Sequence, residues 1–389
     1  MRVLIAEQAH VGHYYTYVRY LLQAIRAVGA EVVLAVTPQG LASEEFRVHL
    51  SGSIDGVEIR PILSPVRFGA RGIAAAIHNL RRACIELKPD VLYIPSGDWI
   101  GQSAGLARMA GFSPVPRHIH SEILINRLSF TYPQYRTHPL IRRLSLAALR
   151  NSPWNTIHLT DILAFDWLRS LSDGVNPRFV FTPDPIEQFP LLTHAEARGS
   201  LRIPEDGRYV VCAGVIDGRK GIGPLLGAFN SAAIAPTDRL LLAGPLADDV
   251  RPLLQSPAGR ALIESGRLLI IDRVLSTAEI STVTSAADVI ACAYPQQPHP
   301  VSMAIRALSR HRPILGSDNY WLGQMIPRFA MGWTVDVADA DAFAAMIPRA
   351  LDGSAQWIRG DPARRLVESA SIENFKASWI SGLRARMKF

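Results

Sequence analysis

The sequence predicts an α/β protein of two doubly wound, Rossmann-like domains facing across a cleft. Three observations carry this reading. At 389 residues the chain exceeds one ordinary core, since domains run to about 100–200 residues. Short apolar runs alternate with helix-length segments, the signature of βα units and parallel sheets. The alternation breaks at Thr182-Pro183-Asp184-Pro185-Ile186 and then restarts. Two prolines in three residues fit neither a helix interior nor a central strand, so this run reads as a stiff linker.

Strands are expected at 3–6, 31–36, 91–94, 117–120, 156–159 and 179–181 in the first half. Between the first two, residues 14–28 carry apolar side chains at helical spacing and Gly29 stops the helix. In the second half strands are expected at 209–213, 239–243, 268–271, 288–291, 313–317 and 334–336. The segment 373–386 places Phe375, Trp379 and Leu383 four residues apart, one apolar face of a helix. The domains are therefore 1–182, a linker 183–186, and 187–370, with 371–389 a helix that packs back on the first domain.

Composition excludes several classes. With 48% hydrophobic and 19% charged residues, the chain is globular rather than disordered. No apolar stretch approaches the roughly 18–20 residues of a spanning helix. Cys84, Cys212 and Cys292 are too far apart for a disulfide framework or a zinc cluster. The run Met1–Ala6 is too short for a signal peptide, so a soluble cytoplasmic protein is expected. The net charge of +7 sits mainly in the first half, where 19 basic residues face 14 acidic ones. That excess suits an anionic membrane at its inner face or a phosphorylated acceptor, and equally a solvated surface.

Ligands of open α/β sheets bind beyond the carboxyl ends of the strands, so the loops there hold the candidates. After the first strand come Glu7-Gln8-Ala9-His10-Val11-Gly12-His13, with one glycine and no dinucleotide fingerprint. His118 and His120 are expected on one face at a strand's carboxyl end. In the second half, Gly214 to Ile222 places Arg219, Lys220 and Gly221 ahead of a helix. This is a diphosphate cradle or a surface charge pair, and it lacks P-loop spacing. The run from Tyr294 to Ser302 contains His299 and three prolines, with Ser302 the expected N-cap of the next helix. Asp318 tips a strand, and Asp339-Ala340-Asp341 reads as a helix cap rather than a metal site.

Taken together, these motifs resemble the retaining glycosyltransferases of the GT-B fold, specifically family 4. The resemblance runs from Thr182 to about Ile347 through the linker and Gly214…Arg219-Lys220-Gly221. It continues through Leu241-Leu242-Ala243-Gly244 and Ser276…Glu279 to Arg312-Pro313-Ile314-Leu315-Gly316-Ser317-Asp318 and Gly332-Trp333. The first half matches through Gly12-His13 and the strand expected to end at His120. The resemblance implies a nucleotide-diphosphate sugar held by the second domain and an acceptor held by the first. The acceptor would be a cell-surface glycan, a lipid-linked molecule or a secondary metabolite. It also implies transfer without a metal or other cofactor. His120 corresponds to the histidine beside the transferred sugar and Lys220 to the lysine on the donor diphosphate. Gly12 and His13 form the acceptor-side loop.

The chain departs from the family pattern at three positions. Val215 stands where the family has an arginine, with Arg219 the nearest substitute. Pro298 and Arg306 stand where it has two glutamates eight residues apart, and no glutamate occurs between Glu279 and Glu368. Asp318, His299 and Ser302 are the side chains expected to replace those carboxylates as partners of sugar hydroxyls. The sequence supports a hexosyl-type transferase or, alternatively, an inactive nucleotide-sugar-binding or regulatory protein of the same fold. A sugar-nucleotide epimerase would want acid/base carboxylates that residues 280–367 lack as glutamate.

Overall fold

The computed structural model describes residues 1–9, 14–65, 69–132, 137–171, 178–231 and 234–387. Gly12 and His13 lie outside the described residues, as does Arg136. The chain divides into two compact units, Met1–Pro185 with Ile372–Phe389, and Ile186–Ser371.

The first unit is built on seven strands: β1 (Arg2–Glu7), β2 (Glu31–Val36), β3 (Glu58–Arg60), β4 (Val91–Ile94), β5 (His120–Ile125), β6 (Thr156–Leu159) and β7 (Phe179–Phe181). They pair in parallel in the order β3-β2-β1-β4-β5-β6-β7. Helices on both faces bury the central strands, which is why β1, β2 and β4 read as continuous Val, Leu and Ile runs. The edge strand β3 escapes apolar patterning because it is short and charged, with Arg60 bonding Glu58 at 3.2 Å.

The second unit repeats the plan with six strands: β8 (Tyr209–Ala213), β9 (Arg239–Ala243), β10 (Leu268–Ile271), β11 (Val289–Cys292), β12 (Ile314–Ser317) and β13 (Gly332–Val335). Their parallel order is β10-β9-β8-β11-β12-β13. Arg198 pairs with Asp288 at 2.8 Å, tying the first helix of the unit to the start of β11.

One strand differs from expectation. The sequence places a strand at 117–120 that ends at His120, but β5 begins there and runs on to Ile125. His120 pairs in register with Val91, at the amino end of the sheet, and His118 precedes the strand. The reason is that the polar pair Ser121-Glu122 is satisfied inside the protein. Ser121 receives from its neighbours what a loop would take from water: its N–H donates to Asn155 Oδ1 at 2.8 Å, and its hydroxyl to the Pro153 carbonyl at 3.1 Å. Glu122 is bonded by His120 at 2.9 Å through Oε1 and by His158 at 2.8 Å through Oε2.

The helix Ile372–Met387 closes over this network. Phe375, Trp379 and Leu383 are buried on Tyr17, Tyr20, Tyr93 and their neighbours. Trp379 stacks on the His158 ring at 4.1 Å, and the Tyr93 hydroxyl donates to the Trp379 carbonyl at 2.8 Å. Arg386 reaches the free nitrogen face of His120, with 3.0 Å to Nδ1. Burial pushes the Glu122 carboxyl up, but the bonds from His120 and His158 outweigh it and hold it below its ordinary value.

Gly382 lets this helix pass Glu122, because a Cβ there would lie 2.7 Å from Glu122 Oε1. In an unconstrained helix interior, Gly→Ala stabilises by about 1 kcal/mol. Here Gly382→Ala is expected to destabilise the protein by about 1–3 kcal/mol, because the fixed carboxylate cannot retreat. Urea unfolding decides the sign, and a stabilised variant refutes this account.

Candidate functional site

Where the strand order of a parallel sheet reverses, adjacent crossovers leave on opposite faces and a crevice opens at the carboxyl ends. The second unit reverses between β8 and β11, and the first between β1 and β4.

In the second unit, β8 ends at Ala213 and the chain turns through Gly218–Lys220 into the helix Ile222–Phe229. Gly221 is the hinge of this turn. Its φ is +65°, and a Cβ would meet the Ala293 carbonyl at 2.1 Å, so the β8 loop seats directly on the β11 loop. Lys220 is drawn inward by the turn and is only 7% exposed. Its Nζ donates to the Ala213 carbonyl and lies below Gly214, where a Cβ would come within 3.4 Å. No carboxylate pairs with Lys220 among the described residues. A buried ammonium without a counter-ion is a costly arrangement that a bound anion relieves.

Arg219 is paired within its own loop. Its Nε and Nη2 donate to Asp217 Oδ2 at 3.0 and 2.6 Å, so its charge is matched inside its own loop. Asp217 also accepts from the Arg219 N–H at 3.1 Å, which fixes the turn. Lys220 is thus the buried cation of this loop and Arg219 the exposed one.

Ser302 is also corrected. It is the first residue of the helix Ser302–Ser309, and the N-cap is Val301, which offers no side-chain bond. The Ser302 hydroxyl instead accepts from Arg306 Nε at 3.2 Å. The expectation failed because Pro300 precedes Val301 and the helix starts one residue early. This leaves the first turn without a side-chain cap, at the carboxyl end of β11, where anions are favoured. Arg306 lines a small pocket together with Ile186, Glu187, Phe189, Thr277 and Ile280.

Asp318 is exposed at the tip of β12, and His299 is half-buried in the β11 loop. Sequence reasoning missed their neighbours. Gln297 Oε1, Ser317 Oγ and Asn319 Oδ1 are buried atoms without a hydrogen-bond partner among the described residues. The Asn319 amide donates to the Pro295 carbonyl at 3.0 Å and joins the β11 and β12 loops. Such orphaned polar atoms await hydroxyls or water. The available signal was a polar residue lodged between prolines just after a strand. Asp339 caps the helix Ala340–Ser354 by accepting from the Ala342 N–H at 3.0 Å.

In the first unit the reversal is lined by residues that sequence reasoning did not single out. Glu7 ends β1 and is 1% exposed. Its Oε1 accepts from the Ala9 N–H at 2.8 Å and from the Ser96 hydroxyl, while Oε2 has no hydrogen-bond partner among the described residues. Both side-chain amide atoms of Gln8 are likewise buried and without a partner among the described residues. Asp98, after β4, accepts from the N–H groups of Asn126 and Arg127 at 2.7 and 2.8 Å. It thereby joins the true carboxyl end of β5 to β4. Asn126 in turn accepts from the Thr160 hydroxyl at 2.9 Å. His120, at the opposite end of β5, has no part in this cluster.

Burial pushes the Glu7 carboxyl up from 4.5 to about 8, against the lowering effect of its hydrogen bonds. A carboxyl whose folded pKa exceeds its unfolded one binds more protons when folded. Its presence therefore costs stability progressively as pH rises from 4.5 to about 8. Glu7→Gln, which removes the charge and keeps the shape, is expected to melt several degrees higher than the parent at pH 9 and nearly with it at pH 5. Melting curves at the two pH values that run parallel refute the buried-acid assignment.

No family model and no curated protein matches this sequence. Solved structures do match over nearly the whole chain. Sucrose-phosphate synthase from Thermosynechococcus elongatus is 19% identical with a TM-score of 0.69, covering 99% of each chain. Anabaena HepE, solved in complex with UDP-glucose, is 13% identical with a TM-score of 0.66, covering 99% of this chain and 100% of its own. A glycosyltransferase from Rickettsia africae is 10% identical with a TM-score of 0.63, covering 100% of this chain and 98% of its own. At these identities the likeness is one of fold: two parallel α/β sheets of seven and six strands that match the GT-B glycosyltransferase fold.

Proposed function

We propose that this protein is a glycosyltransferase that moves a hexosyl group from a nucleoside-diphosphate sugar to a hydroxyl-bearing acceptor, with retention and without a metal. The observation that carries the reading is Lys220: a buried cation, matched by no carboxylate among the described residues, at the strand reversal of the second unit. A diphosphate is the anion that such a site suits, with Lys220 and the uncapped turn at Ser302 as its partners. The retaining, family 4-like assignment rests on the resemblance of the motifs, and the solved neighbours support it at the level of fold.

In this reaction the bond between the anomeric carbon and the diphosphate oxygen breaks, and the diphosphate leaves with the electron pair. Lys220 compensates the charge that grows on that oxygen, which is where a fixed cation in a dry site acts most strongly. The acceptor hydroxyl forms the new bond on the same face and gives its proton to the departing phosphate. Gln297, Ser317 and Asn319 take the place of the absent glutamates as partners for donor hydroxyls, with Asp318 and His299 at the rim. On the acceptor side, Glu7, Gln8 and Asp98 supply the polar groups of the first unit. A Glu7 carboxyl that stays protonated up to about pH 8 donates a hydrogen bond as well as accepting one.

A second reading, a nucleotide-sugar-binding protein without transfer, is favoured by one observation. Arg306 stands at a glutamate position of the family pattern and is bonded to Ser302. Titration with UDP, GDP, TDP and their sugar conjugates separates the two. One nucleotide is expected to bind, and Lys220→Ala to weaken it by about 1.5–3 kcal/mol, the worth of a charge-assisted bond. Unchanged affinity in the variant defeats the donor-site assignment. Release of nucleoside diphosphate from the bound sugar conjugate, slowed in Lys220→Ala, supports transfer, whereas tight binding with no release supports the second reading. Turnover is expected to survive excess EDTA, and its loss would contradict the metal-free mechanism.

A further inference from the structure

The chain's surplus of charge is confined to one stretch. Residues 99–160 contain seven arginines and a single acid, Glu122, a net of +6 out of the whole chain's +7. That acid is buried between His120 and His158, so it neutralises nothing on the surface. Within the stretch lies the helix Pro139–Arg150, PLIRRLSLAALR, which carries no acidic residue.

This helix presents apolar surface to solvent. Leu140, Ile141 and Leu144 are 65%, 57% and 49% exposed, on adjacent turns of one side. Arg143 and Arg150 are exposed alongside them, and Arg142 is held over the Trp167 ring at 4.8 Å. The helix itself is firmly seated. Its Ala148 and Leu149 are buried, and Gly105 of the helix Ser103–Met109 comes so close that a Cβ would collide with the Ala148 carbonyl. The three aliphatics are therefore held out by a rigid support.

We propose that the exposed side of the helix Pro139–Arg150 is a docking surface for an anionic lipid bilayer. Leu140, Ile141 and Leu144 enter the boundary between headgroups and acyl chains, and Arg143 and Arg150 meet the lipid phosphates. Charge complementarity selects the occupant. A basic helix with aliphatic residues and no acids fits a negatively charged interface. A nucleic acid would leave the aliphatic trio unmatched. No helix among the described residues is long and apolar enough to cross a membrane, so the contact is peripheral. This proposal stands independently of sugar transfer.

Co-sedimentation of the full chain with vesicles tests it, using phosphatidylcholine alone and phosphatidylcholine with about one-third phosphatidylglycerol. The expected result is binding to the anionic vesicles only, weakened by salt. Arg143→Glu/Arg150→Glu is expected to bind roughly thirtyfold or more weakly, from about tenfold or less per neutralised arginine and the added repulsion. Leu140→Ser/Ile141→Ser/Leu144→Ser is expected to lose binding as well while melting with the parent, since these side chains contribute little to the core. Equal binding to both vesicle types, or retention by the triple variant, overturns the proposal. So does a parent that is dimeric where the triple variant is monomeric, or one that binds duplex DNA but neither vesicle.

Discussion

Crossovers that leave one parallel sheet on opposite faces cannot fill the space between their first loops. That constraint governs both halves of this protein. Between β8 and β11 it leaves room for a lysine to turn inward, and between β1 and β4 it leaves a glutamate buried with one oxygen unmatched among the described residues. Neither group stabilises the fold. A buried ammonium and a buried carboxyl both carry a desolvation penalty, and the surrounding strands supply the apolar burial that tolerates it. Polar groups kept at such expense mark the places where the structure is arranged for a ligand rather than for itself.

The two candidate sites differ in sign. The second unit offers a cation and an uncapped helix turn, suited to the negative part of a donor. The first offers Glu7, Gln8 and Asp98, suited to neutral hydroxyls. A carboxyl that burial keeps protonated up to about pH 8 and a buried lysine make the two candidate sites chemically distinct.

Much of the fold was legible because buried parallel strands are written as local apolar runs. The strands 31–36, 91–94, 209–213 and 268–271 coincide with their expected limits. What escaped was set by partners distant in sequence. Glu122 reads as a loop residue until His158, 36 positions away, supplies its second bond. The displaced start of β5 follows from that, and with it the location of His120 at the wrong end of the sheet for ligand binding. Arg219 and Lys220 are adjacent and look equivalent in sequence, yet Asp217 engages one and the β8 carbonyl holds the other. Glu7 gave no signal at all, because a glutamate after a strand is unremarkable until its burial is known.

The first unit is assembled from two pieces of chain, with the whole second unit between them. During synthesis, its sheet emerges from the ribosome long before the helix Ile372–Met387 exists. Tyr17, Tyr93 and His158 then stand uncovered, and Glu122 has its histidines but no lid. The nascent unit must persist in that open form while 186 further residues are made. The helix Ile372–Met387 therefore acts as a lock applied only after the second unit has been made, and a chain stopped before residue 372 would carry an exposed aromatic surface that chaperones and proteases recognise.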